Sequence, residues 1–130
     1  MCFIISTEHS ESQIAKKDIV CYKVLDMVRS RYWGPYMGTE YRFNRVRKAK
    51  IVKYLSREKW KQDRYEVEDG LHSFTNLDKL RRRFARMSAI CNGIPVMFEA
   101  IIPKGAEYYI NPAEEEYVSN QLMIVKRLNK

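Results

Sequence analysis

Residues 70–111 read GLHSFTNLDKLRRRFARMSAICNGIPVMFEAIIPKGAEYYIN, and this stretch decides the fold. The pattern predicts a strand, a basic amphipathic helix, a second strand, a turn and a third strand. Apolar residues recur at spacings of three and four through the helix, which places them on one face. That face comprises Leu77, Leu80, Phe84, Met87 and Ile90 or Cys91, and the opposite face carries Lys79, Arg82, Arg83 and Arg86.

Local signals predict where this helix begins and ends. Thr75 is a good N-cap, and Asp78 three residues later completes a capping box. Asn92-Gly93 predicts the end of the helix, because glycine accepts the left-handed conformation, and Pro95 prevents any continuation. The helix is therefore predicted over about residues 76–92.

Further strands are predicted from segments rich in β-branched and aromatic residues. They cover residues 19–25, 49–55, 65–68 and 117–125. Several short strands and one helix predict an α+β fold with a curved, mostly antiparallel sheet. A chain of 130 residues can bury one core without cross-links, so a single domain over residues 1–130 is expected.

The composition excludes several classes of protein. No apolar run approaches the ~18 residues of a membrane-spanning helix, and the start of the chain lacks the basic segment of a signal peptide. We therefore expect a cytoplasmic protein that does not contact membranes. Three cysteines (Cys2, Cys21 and Cys91) form no CxxC pair, which predicts reduced thiols, the latter two half-buried. His9 has no second ligand at a suitable spacing, so metal binding is not expected. No cofactor is expected either.

The positive charge is concentrated in one segment. Residues 42–64 contain ten basic and two acidic side chains, which accounts for the entire net charge of +8. Such an asymmetry creates a local positive field and indicates an anionic partner: a phosphate compound, a nucleic acid or an acidic protein surface. The alternative is a solvated face that only keeps the protein soluble.

Aromatic residues accompany the first part of this basic segment. They are Tyr32, Trp33, Tyr36, Tyr41 and Phe43. Flat rings beside Arg42 and Arg45 are a combination that nucleobases favour. A small hydrophobic core that covers the sheet explains the same rings equally well, and both interpretations stay open.

Several polar residues lie on adjacent predicted elements and are candidates for binding an anionic ligand. Lys23 lies on the otherwise apolar face of Ile19, Cys21 and Leu25, so it either reaches the sheet edge or points into a pocket. The candidate ligand-binding residues are Tyr22, Lys23, Tyr41, Arg42, Arg45, His72, Ser73, Lys104, Tyr109 and Asn120. Structural roles, such as a strand histidine, a turn lysine and an edge amide, remain open for His72, Lys104 and Asn120.

Short motifs resemble a group of small proteins from gut bacteria and their phages. The motifs are CYKVL at 21–25, GLHSF at 70–74, IPKGAEYY at 102–109 and YVSN at 117–120. The resemblance covers most of the chain from about residue 18. It implies a phage or prophage origin and an accessory role, and it names no reaction.

A more distant similarity is to the ADP-ribosyltransferases. Their first core strand resembles Tyr22-Lys23, a later strand resembles residues 72–75, and an Ile-Pro-Lys-Gly-like strand resembles residues 102–105 before the glutamates 114–116. That family has Arg or His where Lys23 stands. The similarity therefore implies a shared scaffold with a place for a nucleotide-like ligand more than it implies catalysis.

These observations lead to three functional hypotheses. The first is a phage-type accessory protein that sequesters a phosphorylated immune signal in the host cytoplasm, such as a cyclic dinucleotide or an ADP-ribose derivative. The second is a binder of nucleic acid or of a protein surface that inhibits a host defence nuclease. The third is an ADP-ribosyl or phosphodiester enzyme that uses His72 with one of Glu114, Glu115 or Glu116. A binding protein is favoured over an enzyme, and homo-oligomerisation stays open.

Overall fold

The computed structural model describes residues 3–6, 11–34, 39–55 and 64–128. In these ranges the chain forms thirteen strands and one helix. The elements are β1 (Phe3–Ser6), β2 (Gln13–Ile14), β3 (Ile19–Val28), β4 (Arg31–Trp33), β5 (Glu40–Tyr41), β6 (Arg47–Lys48), β7 (Val52–Leu55), β8 (Arg64–Asp69), β9 (Leu71–Phe74), α1 (Leu77–Ser88), β10 (Ile94–Ile102), β11 (Glu107–Asn111), β12 (Glu116–Ser119) and β13 (Gln121–Leu128). Cys2, His9, Tyr36 and Trp60 lie outside the described residues.

The strands form two antiparallel sheets. The larger has the order β2-β11-β12-β9-β3-β10-β13-β6, and β4 pairs with β3 and β5 beside this path. The smaller has the order β1-β8-β7. The predicted antiparallel sheet and single main helix are confirmed. Because strands dominate and they divide into two sheets, the architecture is better described as mostly β with one helix.

Helix α1 covers one face of the large sheet. Leu80 and Met87 are buried against Val24 of β3 and Met97 of β10, and Phe84 packs at the margin of this cluster. The predicted apolar face is thereby confirmed. The predicted N-cap is wrong: Asn76, not Thr75, caps the helix, and its side-chain oxygen accepts a hydrogen bond from the Lys79 amide at 2.8 Å. Both residue types cap helices well, so the sequence pattern alone did not separate these neighbours.

The predicted end of the helix is also wrong. The helix ends at Ser88, and the glycines with positive φ in the described residues are Gly70 and Gly105, not Gly93. A Cβ on Gly93 would lie 2.2 Å from the Met27 carbonyl oxygen. Gly93 is therefore required because the chain passes close to β3, and it does not serve as a left-handed helix terminator.

Two corners redirect the chain. At Gly70 (φ 145°) the chain leaves β8 of the small sheet and enters β9 of the large one, and a Cβ there would lie 2.4 Å from the Val118 side chain. At Asn120 the predicted closing strand 117–125 breaks into β12 and β13. The single-strand prediction is wrong because β12 pairs with β9 and β11, whereas β13 pairs with β6 and β10.

Strand β3 separates the main hydrophobic clusters. Its inner face contributes Cys21 and Leu25 to a core that contains Phe98, Leu122 and Ile124, all fully buried. Its other face contributes to the helix-covered cluster. The predicted half-burial is wrong for Cys21, which is fully buried so that its thiol pKa is raised to about 11, and it is confirmed for Cys91.

Candidate anion-binding surfaces

Four of the predicted ligand-binding residues meet in the interior, and the central one is Lys23. Only 7% of Lys23 is exposed, its Nζ donates a hydrogen bond to the His72 carbonyl oxygen at 2.5 Å, and it lies 5.4 Å from the centre of the Tyr41 ring. Ser73 is buried beside the Cys21 thiol in the same region. The Lys23 side chain thus points into the interior and not to the sheet edge, and the pocket predicted for it stays a prediction.

Burial changes the protonation behaviour of this interior group. It lowers the Lys23 pKa to about 8 and raises the Tyr41 pKa above its usual range. Burial, followed by the nearby Lys23 charge, lowers the His72 pKa to about 4. His72 is therefore neutral at pH 7, while Lys23 carries most of its charge there. Lys23 lines neither of the two clefts described below.

The other predicted residues are spread over separate parts of the molecule. Tyr22 packs on the helix side of β3, and Tyr109 is buried under the small sheet with the Lys53 Nζ 4.6 Å from its ring centre. Lys104 is exposed in a turn, where its amide donates to Asp18 Oδ1 at 2.9 Å. The Asn120 side chain accepts from the Glu107 amide at 2.9 Å and holds the corner between β12 and β13. The structure does not bring these residues to one pocket.

The remaining predicted cations lie on an exposed strip at the end of the large sheet. We call this strip the cationic edge, and it comprises Arg42, Arg45, Arg47, Lys48 and Lys50. Its backbone is held against β13: the Asn44 amide donates to the Ile124 carbonyl at 3.0 Å, and Arg47 and Lys48 pair with Leu122 and Gln121. The side chains project outward from an ordered backbone.

Few acids oppose these charges. Arg42 forms a long contact with Glu40 (Nε–Oε2, 3.9 Å), and within the described residues the other four cations form no ion pair. Apolar groups lie among them, since Phe43 and Val46 are 40% and 42% exposed. Lys48 and Lys50 also line a cleft of about 440 Å³ with Glu107, Asn120 and Gln121, so Glu107 is the acidic residue of this lining. The cationic edge therefore combines free positive charge with accessible apolar surface.

The basic face of helix α1 is different, because a loop from later in the chain neutralises it. Arg83 contacts Glu114 at 3.0 Å, Lys79 contacts the same carboxylate at 3.7 Å, and Arg82 contacts Glu115 at 3.6 Å. Glu115 also accepts a hydrogen bond from the Asn76 side chain, which lowers its pKa. Two of the glutamates that we considered as partners of His72 thus bind helix residues.

A second accessible feature lies at the hairpin of β3 and β4. This hairpin cleft has a volume of about 830 Å³ and is lined by Asp26, Val28, Arg29, Arg31, Trp33, Gly34 and Asn92. Of the predicted aromatic group, Tyr32 and Phe43 pack against the buried Phe98 at ring-centre distances of 4.9 and 5.7 Å. Trp33 instead lines the cleft. The structure therefore supports the core interpretation for Tyr32 and Phe43, and the stacking interpretation stays a prediction.

Sequence reasoning missed the two arginines of this cleft. The signal was the Arg-Ser-Arg at 29–31 between a strand and Trp33, and it was overlooked because the basic segment at 42–64 dominated the charge pattern.

Comparison with protein-family models, with curated proteins and with solved structures finds no match to this chain. The described residues contain no group of three His, Cys, Asp or Glu side chains able to hold a metal ion, and their helix is too short and polar to cross a membrane.

Proposed function

We propose that this protein binds nucleic acid through the cationic edge, by contacts to the phosphate backbone. The observation that supports the proposal is the ordered strip of five exposed cations, four of which form no ion pair within the described part of the chain. Lysine and arginine that contact phosphates release condensed counterions, and this release supplies much of the binding free energy.

The backbone geometry of the strip favours such binding. Asn44 and Ala49 are both hydrogen-bonded to the β12–β13 region, at Ile124 and Asn120 respectively, so both ends of the strip are anchored. An anchored backbone loses less conformational entropy on binding than a flexible basic tail. The partly exposed Phe43 ring offers a surface on which a base stacks.

This proposal corresponds to the second hypothesis from the sequence. In a phage-type accessory protein, nucleic-acid binding would act by competing with a host defence nuclease for its substrate. The first hypothesis, sequestration of a nucleotide-like signal by the ten predicted residues, stays a prediction. The geometry supports it less well because Lys23, Tyr41 and Ser73 are buried, whereas Arg42 and Arg45 are exposed on the cationic edge.

The test is fluorescence anisotropy with a labelled oligonucleotide of about 20 deoxythymidines, titrated at several salt concentrations. We expect log Kd to rise linearly with log salt, because each phosphate neutralised adds about 0.7 to the slope for a single strand. Replacement of Arg45, Arg47 and Lys48 by glutamine should reduce the slope by about 2 and weaken binding by about 100-fold at low salt.

The matched control removes the same number of charges from the helix. Arg81, Arg82 and Arg86 are exposed on α1, and their triple replacement by glutamine should change the affinity less than about threefold. Circular dichroism confirms that both variants are folded. Equal losses in the two triple variants, or an affinity that does not depend on salt, would contradict the proposal.

A further inference from the structure

The hairpin cleft has a composition that the cationic edge does not share. Asp26 pairs with Trp33, and Val28 pairs with Arg31, across the antiparallel strands β3 and β4. Residues that lie directly opposite each other project from the same face, and so do residues two positions apart. These four side chains therefore leave the hairpin on one side, where they line the same cleft.

The tip of the hairpin adopts an unfavourable backbone conformation. Arg29 and Ser30 both have positive φ, at 52° and 64°, in the two-residue connection between Val28 and Arg31. Such turns favour Asn-Gly, because other side chains are strained in the left-handed region. This strained turn places Arg29 in the lining of the cleft.

The opposite wall is formed by the connection between α1 and β10. The Asp26 carboxylate accepts hydrogen bonds from the Asn92 and Gly93 amides at 2.8 and 2.7 Å. Asp26 is only 5% exposed, so its charge is directed to these backbone donors. The carboxylate thereby holds Asn92 at the edge of the cleft, and the two arginines together with Asp26 leave the lining with a net positive charge.

We propose that the hairpin cleft binds a small phosphorylated compound with a planar ring, of the class of nucleoside monophosphates. The Arg29 and Arg31 guanidinium groups bind the phosphate, since their planar donors match its oxygens, and the Trp33 indole stacks on the ring. A volume of about 830 Å³ falls within the range of small-ligand sites. This site is distinct from the cationic edge and does not depend on nucleic-acid binding there.

One carboxylate competes with the ligand. Glu40 Oε2 lies 3.9 Å from Arg31 Nε and equally far from Arg42 Nε, so it is shared between two arginines. Contacts of this length between exposed groups are weak, and a phosphate displaces them. Glu40→Gln therefore makes Arg31 more available and should tighten ligand binding, while all cleft-lining residues remain.

The test titrates adenosine 5′-monophosphate, adenosine and inorganic phosphate into the full chain. In a Trp60→Phe background the remaining tryptophan is Trp33, so indole fluorescence reports on the cleft. We expect the monophosphate to quench this fluorescence with a Kd at least about tenfold lower than that of adenosine or phosphate alone. Calorimetry on the unmodified protein gives the same ranking without any substitution.

Variants then locate the site. Arg29→Gln with Arg31→Gln should raise the Kd at least about tenfold, and Glu40→Gln should lower it about twofold. The triple glutamine variant of the cationic edge should leave it within about twofold, which separates this site from nucleic-acid binding. Absence of saturable heat and quenching up to about 5 mM monophosphate overturns the proposal. Binding that survives the double variant and is lost in the edge variant also overturns it.

Discussion

The basic face of helix α1 and the cationic edge have similar residue content but very different surroundings. On the helix, Glu114 and Glu115 reach Lys79, Arg82 and Arg83 at 3.0 to 3.7 Å. On the edge, Glu40 is the acid that contacts the strip within the described residues, at 3.9 Å. The difference shows that a run of arginines predicts available charge only when no distant segment supplies carboxylates.

The loop before β12 has a backbone that holds it against the helix. Glu115 has a φ of 54°, and its carbonyl oxygen accepts a hydrogen bond from the Thr75 amide at 2.9 Å, just before the helix begins. The carboxylates are thereby fixed beside the first two turns of α1. Backbone pairing likewise holds the cationic edge against β13, but its charged side chains face outward. The two surfaces thus differ in the carboxylates near their cations and not in how firmly their backbones are held.

Lys23 is a buried cation, in contrast to those on the two surfaces, and its replacement should have the largest effect on stability. Its folded-state pKa of about 8, against 10.5 when unfolded, implies a cost of about 3 kcal/mol for burying the charge below pH 8. Lys23→Met removes this cost and loses one hydrogen bond to His72 worth about 1 kcal/mol. We expect a net stabilisation of about 2 kcal/mol at pH 7, measured by urea unfolding.

The pH dependence provides the control for this prediction. Between about pH 8 and 10.5, Lys23 holds its proton in the unfolded protein but has lost it in the folded protein. The free energy of unfolding of the unmodified protein therefore rises with pH across this window. The Cys21 thiol, with its pKa raised to about 11, has the opposite effect above pH 9, but it is present in both proteins. The difference between variant and unmodified protein should therefore shrink across this window. A constant difference would mean that Lys23 is not buried as a cation.

His72 should produce the next largest effect, on the acid side. Its pKa is lowered to about 4, so the unfolded state takes up a proton first and stability falls as pH drops from about 6.5 to 4. The full shift corresponds to about 3 kcal/mol, and because His72 is partly exposed the loss should approach about 2 kcal/mol and be absent in His72→Gln. Chemical denaturation at several pH values measures it. Lys23→Met should reduce the loss, because the Lys23 charge contributes to the lowered pKa; an unchanged loss would remove that coupling.

How much of this could be predicted from sequence depends on the range of the interactions involved. Local patterns correctly predicted the apolar face of α1, a strand directly after this helix and the strand that starts at Ile19, since each follows from periodicity within about ten residues. Lys23 was identified as unusual because it interrupts an apolar face. Its inward orientation depends on the His72 carbonyl, 49 residues away, and no local pattern specifies that.

The errors share the same cause. Gly93 fits the pattern of a helix terminator, but the Met27 carbonyl on β3 determines why it must be glycine. Asn120 lies within a continuous apolar alternation, but three hydrogen bonds to Glu107 and Ala49 break the strand there. The hairpin cleft needed Arg29, Arg31 and Asn92 to come together across about 60 residues of chain. The spacing of these residues along the sequence does not show that they lie close together in the fold.

Removal of the carboxylates from the helix loop should make the two basic surfaces alike. Glu114→Gln with Glu115→Gln leaves the charges of Lys79, Arg82 and Arg83 unopposed by this loop. We expect the affinity for the deoxythymidine oligonucleotide to rise about three- to tenfold at low salt, with a steeper salt dependence. Glu66→Gln with Glu99→Gln removes the same charge elsewhere and serves as the control. An equal rise in both variants would mean that only net charge matters.

The smallest expected effect concerns the stability of the cationic edge itself. Like charges without an ion-pair partner repel one another, so replacing Arg45, Arg47 and Lys48 by glutamine should stabilise the fold by about 0.5 kcal/mol at low salt. The gain should vanish near 1 M salt, where charges are screened beyond about 3 Å. The helix triple variant of Arg81, Arg82 and Arg86 should instead lose stability at low salt, since Arg82 gives up its contact with Glu115. Thermal unfolding at two salt concentrations distinguishes the signs. If both variants shift in the same direction, the two surfaces do not differ in how their charges are compensated.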